Sequence, residues 1–201
     1  MNLALFDFDG TLTNEDMFSL FLNHSASGPR KWIGRVVIAP FYLLYKINLL
    51  PSHLMRPIAS WIAFKGRREA SLQVIGKQFA REVIPRYLRP EAMAKLAWHQ
   101  QRGDRIILVS ASLDLYLRHW CDAQGIDLLC SEMAVRQGRY TGKYQQGDCS
   151  RKQKVQRVKQ HCRLSDYSKI YAYGDTEEDR LMLNLADEAY MNWQRVRTAN
   201  R

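Results

Sequence analysis

Two carboxylates two residues apart, Asp7 and Asp9, close a short apolar run, Leu3-Ala4-Leu5-Phe6, and lead into Gly10-Thr11-Leu12-Thr13. Like charges this close are costly unless something positive lies between them. A divalent cation supplies that charge, and Mg²⁺ typically takes one or two carboxylates together with phosphate and water. A second acidic group, Gly174-Asp175-Thr176-Glu177-Glu178-Asp179, follows the apolar run Ile170-Tyr171-Ala172-Tyr173. Acids at the first turn of a helix are ordinary capping, and an Asp-Gly turn after a strand is common. Capping does not explain why two separate runs both end in acids; a shared metal does. A third run, Arg105 to Val109, ends in Ser110-Ala111-Ser112, and Arg151-Lys152-Gln153-Lys154 offers two lysines for an anion. A solvated basic helix face accounts for either lysine equally well.

These groups converge only if the runs are neighbouring strands. Leu3–Phe6, Arg105–Val109 and Ile170–Tyr173 are short, apolar and bounded by turn signals, which reads as buried strands. Ala189–Asn192 reads as a last strand, and residues 126–144 as a short strand and a hairpin around Gln137-Gly138. Between them the patterns predict helices over Pro90–Gln101, Leu113–Gln124, Ser150–Cys162 and Thr176–Ala186. Strands alternating with helices argue an α/β fold with a doubly wound parallel sheet, whose ligands gather at the carboxyl ends of the strands. Residues 14–88 differ. Glu15–Ser27, Leu54–Phe64 and Arg68–Ile84 have helical spacing, and no stretch alternates as a strand would. The expected organisation is a core of residues 1–13 and 89–201 with an all-helical insert over 14–88.

The chain of 201 residues has room for one sizeable domain, or for a core carrying a smaller insert. Its formal net charge of +10 calls for an anionic partner: a phosphorylated substrate, an acidic lipid surface or nucleic acid. Cys121, Cys130, Cys149 and Cys162 show no zinc or Cys-x-x-Cys spacing and read as reduced thiols. Met1 leads almost at once into the first core strand with no signal-peptide pattern, so export is not expected and a cytoplasmic location is.

Taken in order, the motifs resemble those of the haloacid dehalogenase-like superfamily. Asp7-Phe8-Asp9-Gly10-Thr11 resembles its first motif, Val109-Ser110-Ala111-Ser112 its second, and Gly174-Asp175-Thr176-Glu177-Glu178-Asp179 its fourth, with the insert where that family carries a helical cap. Ser-Ala-Ser, Tyr140-Thr141-Gly142 and Cys149 followed by Lys154-Val155 resemble the phosphoserine-phosphatase-like branch. The resemblance implies an Mg²⁺-dependent phosphomonoester hydrolase. Asp7 would be the nucleophile that forms an aspartyl-phosphate, and Asp9 the general acid and base. Asp7, the backbone carbonyl of Asp9, Asp175 and Asp179 would hold Mg²⁺. Ser110, Ala111 and a lysine, Lys154 by the branch's spacing rather than Lys152, would bind the phosphoryl group. An acid at position 9 suits a phosphatase, because a dehalogenase has no alkoxide to protonate. Glu178 departs from the small amide that relatives often carry there.

Substrate choice is expected to lie in residues 14–88, which hold eleven Lys and Arg against four Asp and Glu. Between Met17 and Arg68 there is no carboxylate, while Trp32, Phe41, Tyr42, Tyr45, Trp61 and Phe64 are interleaved with basic residues. Two readings stand side by side: a packed helical bundle, and peripheral contact with anionic lipid. Trp32–Leu50 is interrupted by Arg35 and Lys46, leaving an uncharged run too short to span a bilayer. The apolar pattern after Asp16-Met17-Phe18 is similar to phosphatidylglycerophosphatase C-like proteins, which implies a lipid phosphate monoester at the cytoplasmic face of the inner membrane. Phosphoserine phosphatase is the enzymatic alternative. A non-catalytic basic protein binding RNA or membrane on a retired fold is a second alternative; nucleic acid is not the expected partner, because every acid the chemistry needs is present. Arg30, Arg35 and Arg56 are candidates for reading the leaving group.

Overall fold

The computed structural model describes residues 1–26, 43 and 52–198. Strand β1 (Leu3–Phe6) is buried along its whole length, as a run apolar on both faces must be when helices cover both sides of the sheet. Ala4 and Phe6 enter one core, Leu3 and Leu5 the other. With β2 (Arg105–Leu113), β3 (Asp127–Ser131), β6 (Ile170–Gly174), β7 (Glu188–Met191) and β8 (Gln194–Val196) it forms one sheet in the order β3-β2-β1-β6-β7-β8. The pair β4 (Met133–Arg136) and β5 (Arg139–Tyr144) forms a separate hairpin. Within the six-stranded sheet the pairings are parallel except that of β7 with β8. Phe6 lies opposite both Leu108 and Tyr173, so Asp7 emerges between β2 and β6. This is the doubly wound α/β sheet that the alternation predicts.

The helices are α1 (Met17–Ser25), α2 (Ser52–Phe64), α3 (Glu69–Glu82), α4 (Pro90–Gln101), α5 (Asp114–Gln124), α6 (Lys152–His161) and α7 (Arg180–Leu183). Asp16 caps α1 by accepting from the backbone N of Phe18 at 3.0 Å and of Ser19 at 3.4 Å. The chain leaves the sheet and returns to it side by side. Thr13 and Leu88 form an antiparallel bridge, Asn14 N donates to Tyr87 O, and Arg89 N donates to Leu12 O, both at 2.9 Å. Between those points the described elements are α1, α2, α3 and a 3₁₀ turn at Ile84–Arg86. Trp32, Phe41, Tyr42, Tyr45, Arg30 and Arg35, on which much of the lipid-contact reading rests, lie outside the described residues.

Three local features differ from the sequence reading. First, β2 does not stop at Val109 but continues to Leu113, with an irregular pairing to β3 between Val109 and Leu113. The Ser110 hydroxyl accepts from Ser112 N at 3.0 Å, which holds that irregularity in place. Second, the helix expected over Thr176–Ala186 is confined to Arg180–Leu183. The Asp179 carboxylate reaches back to the backbone N of Asp175 and Thr176, both at 3.2 Å, and keeps that stretch as a turn. Third, β8 follows β7 through Asn192 and Trp193, both at positive φ. Trp is a poor residue for such a turn, but its ring stacks on Tyr173 at 5.4 Å.

Helices α1 and α3 pack on α5 through Phe21, Phe79 and Tyr116, whose ring centroids lie 4.8–5.2 Å apart. The approach is close enough that a Cβ on Gly76 of α3 would lie 1.8 Å from the backbone O of Leu115. Gly76→Ala must therefore push the two helices apart. We expect it to cost about 2–3 kcal/mol and to lower Tm by about 5–10 °C in a thermal melt. An unchanged Tm would contradict this contact.

Candidate active site

At the carboxyl edge of the sheet, strand order brings together residues more than 160 positions apart. Asp7 follows β1 and is fixed there by donation from its backbone N to Tyr173 O at 2.9 Å. Asp175 follows β6, and Asp179 is folded back by the turn just described. Each of these three acids offers an oxygen, and the three oxygens lie within 4.8 Å of one another. Close approach of the two loops requires glycine. Gly10 has φ +80°, and a Cβ there would lie 2.0 Å from the Asp175 carboxylate. A Cβ on Gly174 would lie 2.6 Å from that of Asp179.

The cation among these acids is Lys154. Helix α6 turns Lys154, Arg157 and Val158 inward, at positions i, i+3 and i+4, while Lys152 is exposed. The Lys154 ammonium pairs with Asp7 and donates to Asp179 Oδ1 at 2.6 Å. Burial alone would lower the lysine's pKa, but Asp179 and Asp7 raise it. Burial pushes Asp7 well above the usual carboxylate range, and Asp179 adds to the rise. Burial and Asp179 together push Asp175 up to about 6. Asp179 is instead held low, because Lys154 outweighs its burial. Three acids, two of them buried, stand against one ammonium, and the donors are all carboxylate oxygens. That set fits a small divalent cation of the Mg²⁺ kind.

Asp9 points elsewhere. Its carboxylate accepts from Met17 N at 2.7 Å, at the start of α1, and from the Ser112 hydroxyl at 2.5 Å. Burial, and next the charge of Asp16, push it up to about 7, against the lowering effect of those two hydrogen bonds. Its side chain is thus outside the acid triad and carries a proton affinity suited to acid and base work near neutral pH. Ser110 is buried at the β2 irregularity, with Ala111 half-buried beside it.

Two contacts at the site were not foreseen in the sequence: the hold of Ser112 on Asp9, and the ion pairs of Arg56, which was read only as a candidate for reading the leaving group. Ser112 was read as part of the serine motif, yet it is the residue whose hydroxyl holds Asp9. Arg56 of α2 donates to Asp148 through Nε at 3.0 Å and Nη2 at 2.9 Å, and to Glu178 at 3.0 Å. Glu178 also faces Arg151 at 3.7 Å. Glu178 thus has a partner on α2, a pairing visible only once that helix is placed.

A buried acid just after β1, a carboxylate trio with an ammonium, and this strand order suit the chemistry of phosphate esters. Residues 4–184 match the haloacid dehalogenase-like hydrolase family, and the chain belongs to it. It is a phosphatase of that family. Protein CicA of Caulobacter vibrioides is 34% identical over 192 residues, covering 92% of this chain and 83% of the relative. A histidinol-phosphatase of Neisseria meningitidis serogroup C is 24% identical over 208 residues, covering 93% and 88%. Among solved structures, a protein of unknown function from Bordetella pertussis Tohama I superposes with a TM-score of 0.83 at 25% identity, covering 94% and 89%. A substrate-bound phosphoserine phosphatase shares the fold with a TM-score of 0.66 at 16% identity, covering 94% and 84%. Among the described residues, no helix is long and apolar enough to cross a membrane.

Proposed function

We propose that this phosphatase is Mg²⁺-dependent, works through an aspartyl-phosphate on Asp7, and acts on a lipid phosphate monoester, with phosphatidylglycerophosphate the leading candidate. The observation that carries the chemistry is the separation of the acids: Asp7 sits with Asp175, Asp179 and Lys154, while Asp9 is held apart by Met17 N and Ser112. Asp7 attacks phosphorus, and the departing alkoxide takes its proton from Asp9. Asp9, now a carboxylate, accepts a proton from the water that attacks the acyl phosphate, and Asp7 is regenerated. Lys154 and Ser110, with the backbone at Ala111, hold the phosphoryl oxygens as charge develops on them. A cation held by Asp7, Asp175, Asp179 and the backbone carbonyl of Asp9 would supply positive charge against those oxygens.

Residues 14–88 act in this reading as a cap on a core of 1–13 and 89–201. Their excess of basic residues, free of acids from Phe18 to Arg67, supports an anionic lipid partner and work at the cytoplasmic face of the inner membrane. A small-metabolite phosphatase, for phosphoserine or histidinol phosphate, is the alternative that the relatives favour. Phosphate release from phosphoserine, histidinol phosphate, lysophosphatidate and phosphatidylglycerophosphate separates the two. We expect kcat/KM for the lipids to exceed that for the small esters by about tenfold or more, and EDTA to abolish release from all of them. Preference for a small ester would overturn the lipid assignment, and full activity in EDTA the metal assignment.

A further inference from the structure

We infer that the groove between α2 and the β5 hairpin strand is a binding site for a single aliphatic chain of the substrate, an inference that rests on the lipid-phosphate reading above. The groove is an open one with a volume of about 530 Å³, lined by Ile58, Trp61 and Ile62 of α2 and by Tyr144 and Gly147 on the opposite side. That volume lies in the range of small-molecule sites. The one lining hydroxyl, that of Tyr144, is already engaged with Ser60 at 2.9 Å, so the walls offer mainly hydrocarbon. Gly142 brings the two walls together: a Cβ there would lie 2.9 Å from the Trp61 ring and 3.0 Å from its Cα.

Continuity with the catalytic edge argues for the occupant. The groove begins at Pro57 and Gly147, the neighbours in sequence of Arg56 and Asp148. Arg56 and Asp148 are joined to each other, and Arg56 to Glu178 in the loop that carries Asp175 and Asp179. The Arg56 ion pairs thus tie the apolar groove to the loop that carries Asp175 and Asp179, so a substrate whose phosphate lies among Asp7 and Lys154 would direct its chain past Arg56. The groove also carries charge complementary to an anionic headgroup or surface. Lys143 lines it, and Lys65 Nζ stands 4.3 Å over the ring of Trp61, which is itself 45% exposed.

The test uses the full chain carrying Asp7→Asn, so that binding is read without turnover, and monomeric alkyl phosphates from butyl to dodecyl. Affinity should rise about two- to fourfold per methylene, and a bromoalkyl phosphate should quench fluorescence that is absent from the Trp61→Phe variant. Ile58→Asn and Ile62→Asn, in the otherwise native enzyme, should flatten the dependence on chain length while release from p-nitrophenyl phosphate is unchanged. Affinity independent of chain length, an unaltered slope in folded Ile58→Asn protein, or quenching that persists without Trp61 would each overturn the inference. If the chain's own residues fill the groove, the slope is flat, which is the first of these outcomes. Lipid hydrolysis without chain-length dependence removes the groove alone. Chain-dependent binding of alkyl phosphates with no lipid phosphate hydrolysed removes the lipid-phosphatase reading alone.

Discussion

Asp7→Asn should abolish phosphatase activity, lowering kcat by about 10⁴-fold or more, the scale expected when the group that bonds to the substrate is lost. The same change should leave the protein folded and, without metal, no less stable. Burial raises the proton affinity of Asp7, so its charged form is penalised in the folded state, and an isosteric amide removes that penalty. Lys154 keeps its partner in Asp179. Loss of activity with an unchanged or higher Tm is therefore the expected pair of results. A variant that retained a tenth of the native rate would exclude Asp7 as nucleophile.

Lys154→Met should act on both activity and stability. Its ammonium pairs with Asp7 and Asp179, and removing it leaves those two buried acids, beside Asp175, without that cation. Breaking a buried pair in this way costs about 3–5 kcal/mol, which lowers the metal-free Tm by roughly 10 °C. Mg²⁺ should then raise the Tm of the variant more than that of the native protein, because the ion replaces a missing charge as well as filling its own site. Turnover should fall about 10²–10³-fold even with saturating Mg²⁺, as for loss of one group that stabilises transition-state charge. Equal effects of Mg²⁺ on both Tm values would argue that lysine and metal do not share the acids.

Much of this site was legible in the sequence because strand ends and clustered acids coincide. Asp7 and Asp175 end buried apolar runs, and a parallel sheet puts such ends along one edge. Lys154 could not be separated from Lys152 by charge, since both lie in a basic stretch; the spacing from Cys149 selected it, and the inward face of α6 gives the physical reason. Ser112 escaped assignment because its role depends on β2 continuing past Val109, and the Ser110 side chain that shapes this region mimics a turn signal. The shortened α7 has a related cause: Asp179 serves the loop before it rather than capping a helix, and periodicity cannot see that. Arg56 meeting Glu178 and Asp148 required the placement of α2, which no local pattern contains. The hairpin at Asn192-Trp193 was hidden because stacking on Tyr173, a tertiary contact, outweighs the poor turn propensity of Trp.

The measurement that bears most directly on this account is a rapid-quench trap of the enzyme during turnover, with mass analysis of the peptide containing Asp7 and Asp9. The expected product is a phosphorylated peptide that forms only with Mg²⁺, is labile at alkaline pH, maps to Asp7, and accumulates when Asp9→Asn slows hydrolysis more than attack. Phosphate on another residue, or steady turnover of native enzyme with no phosphopeptide at any quench time in either protein, would contradict it.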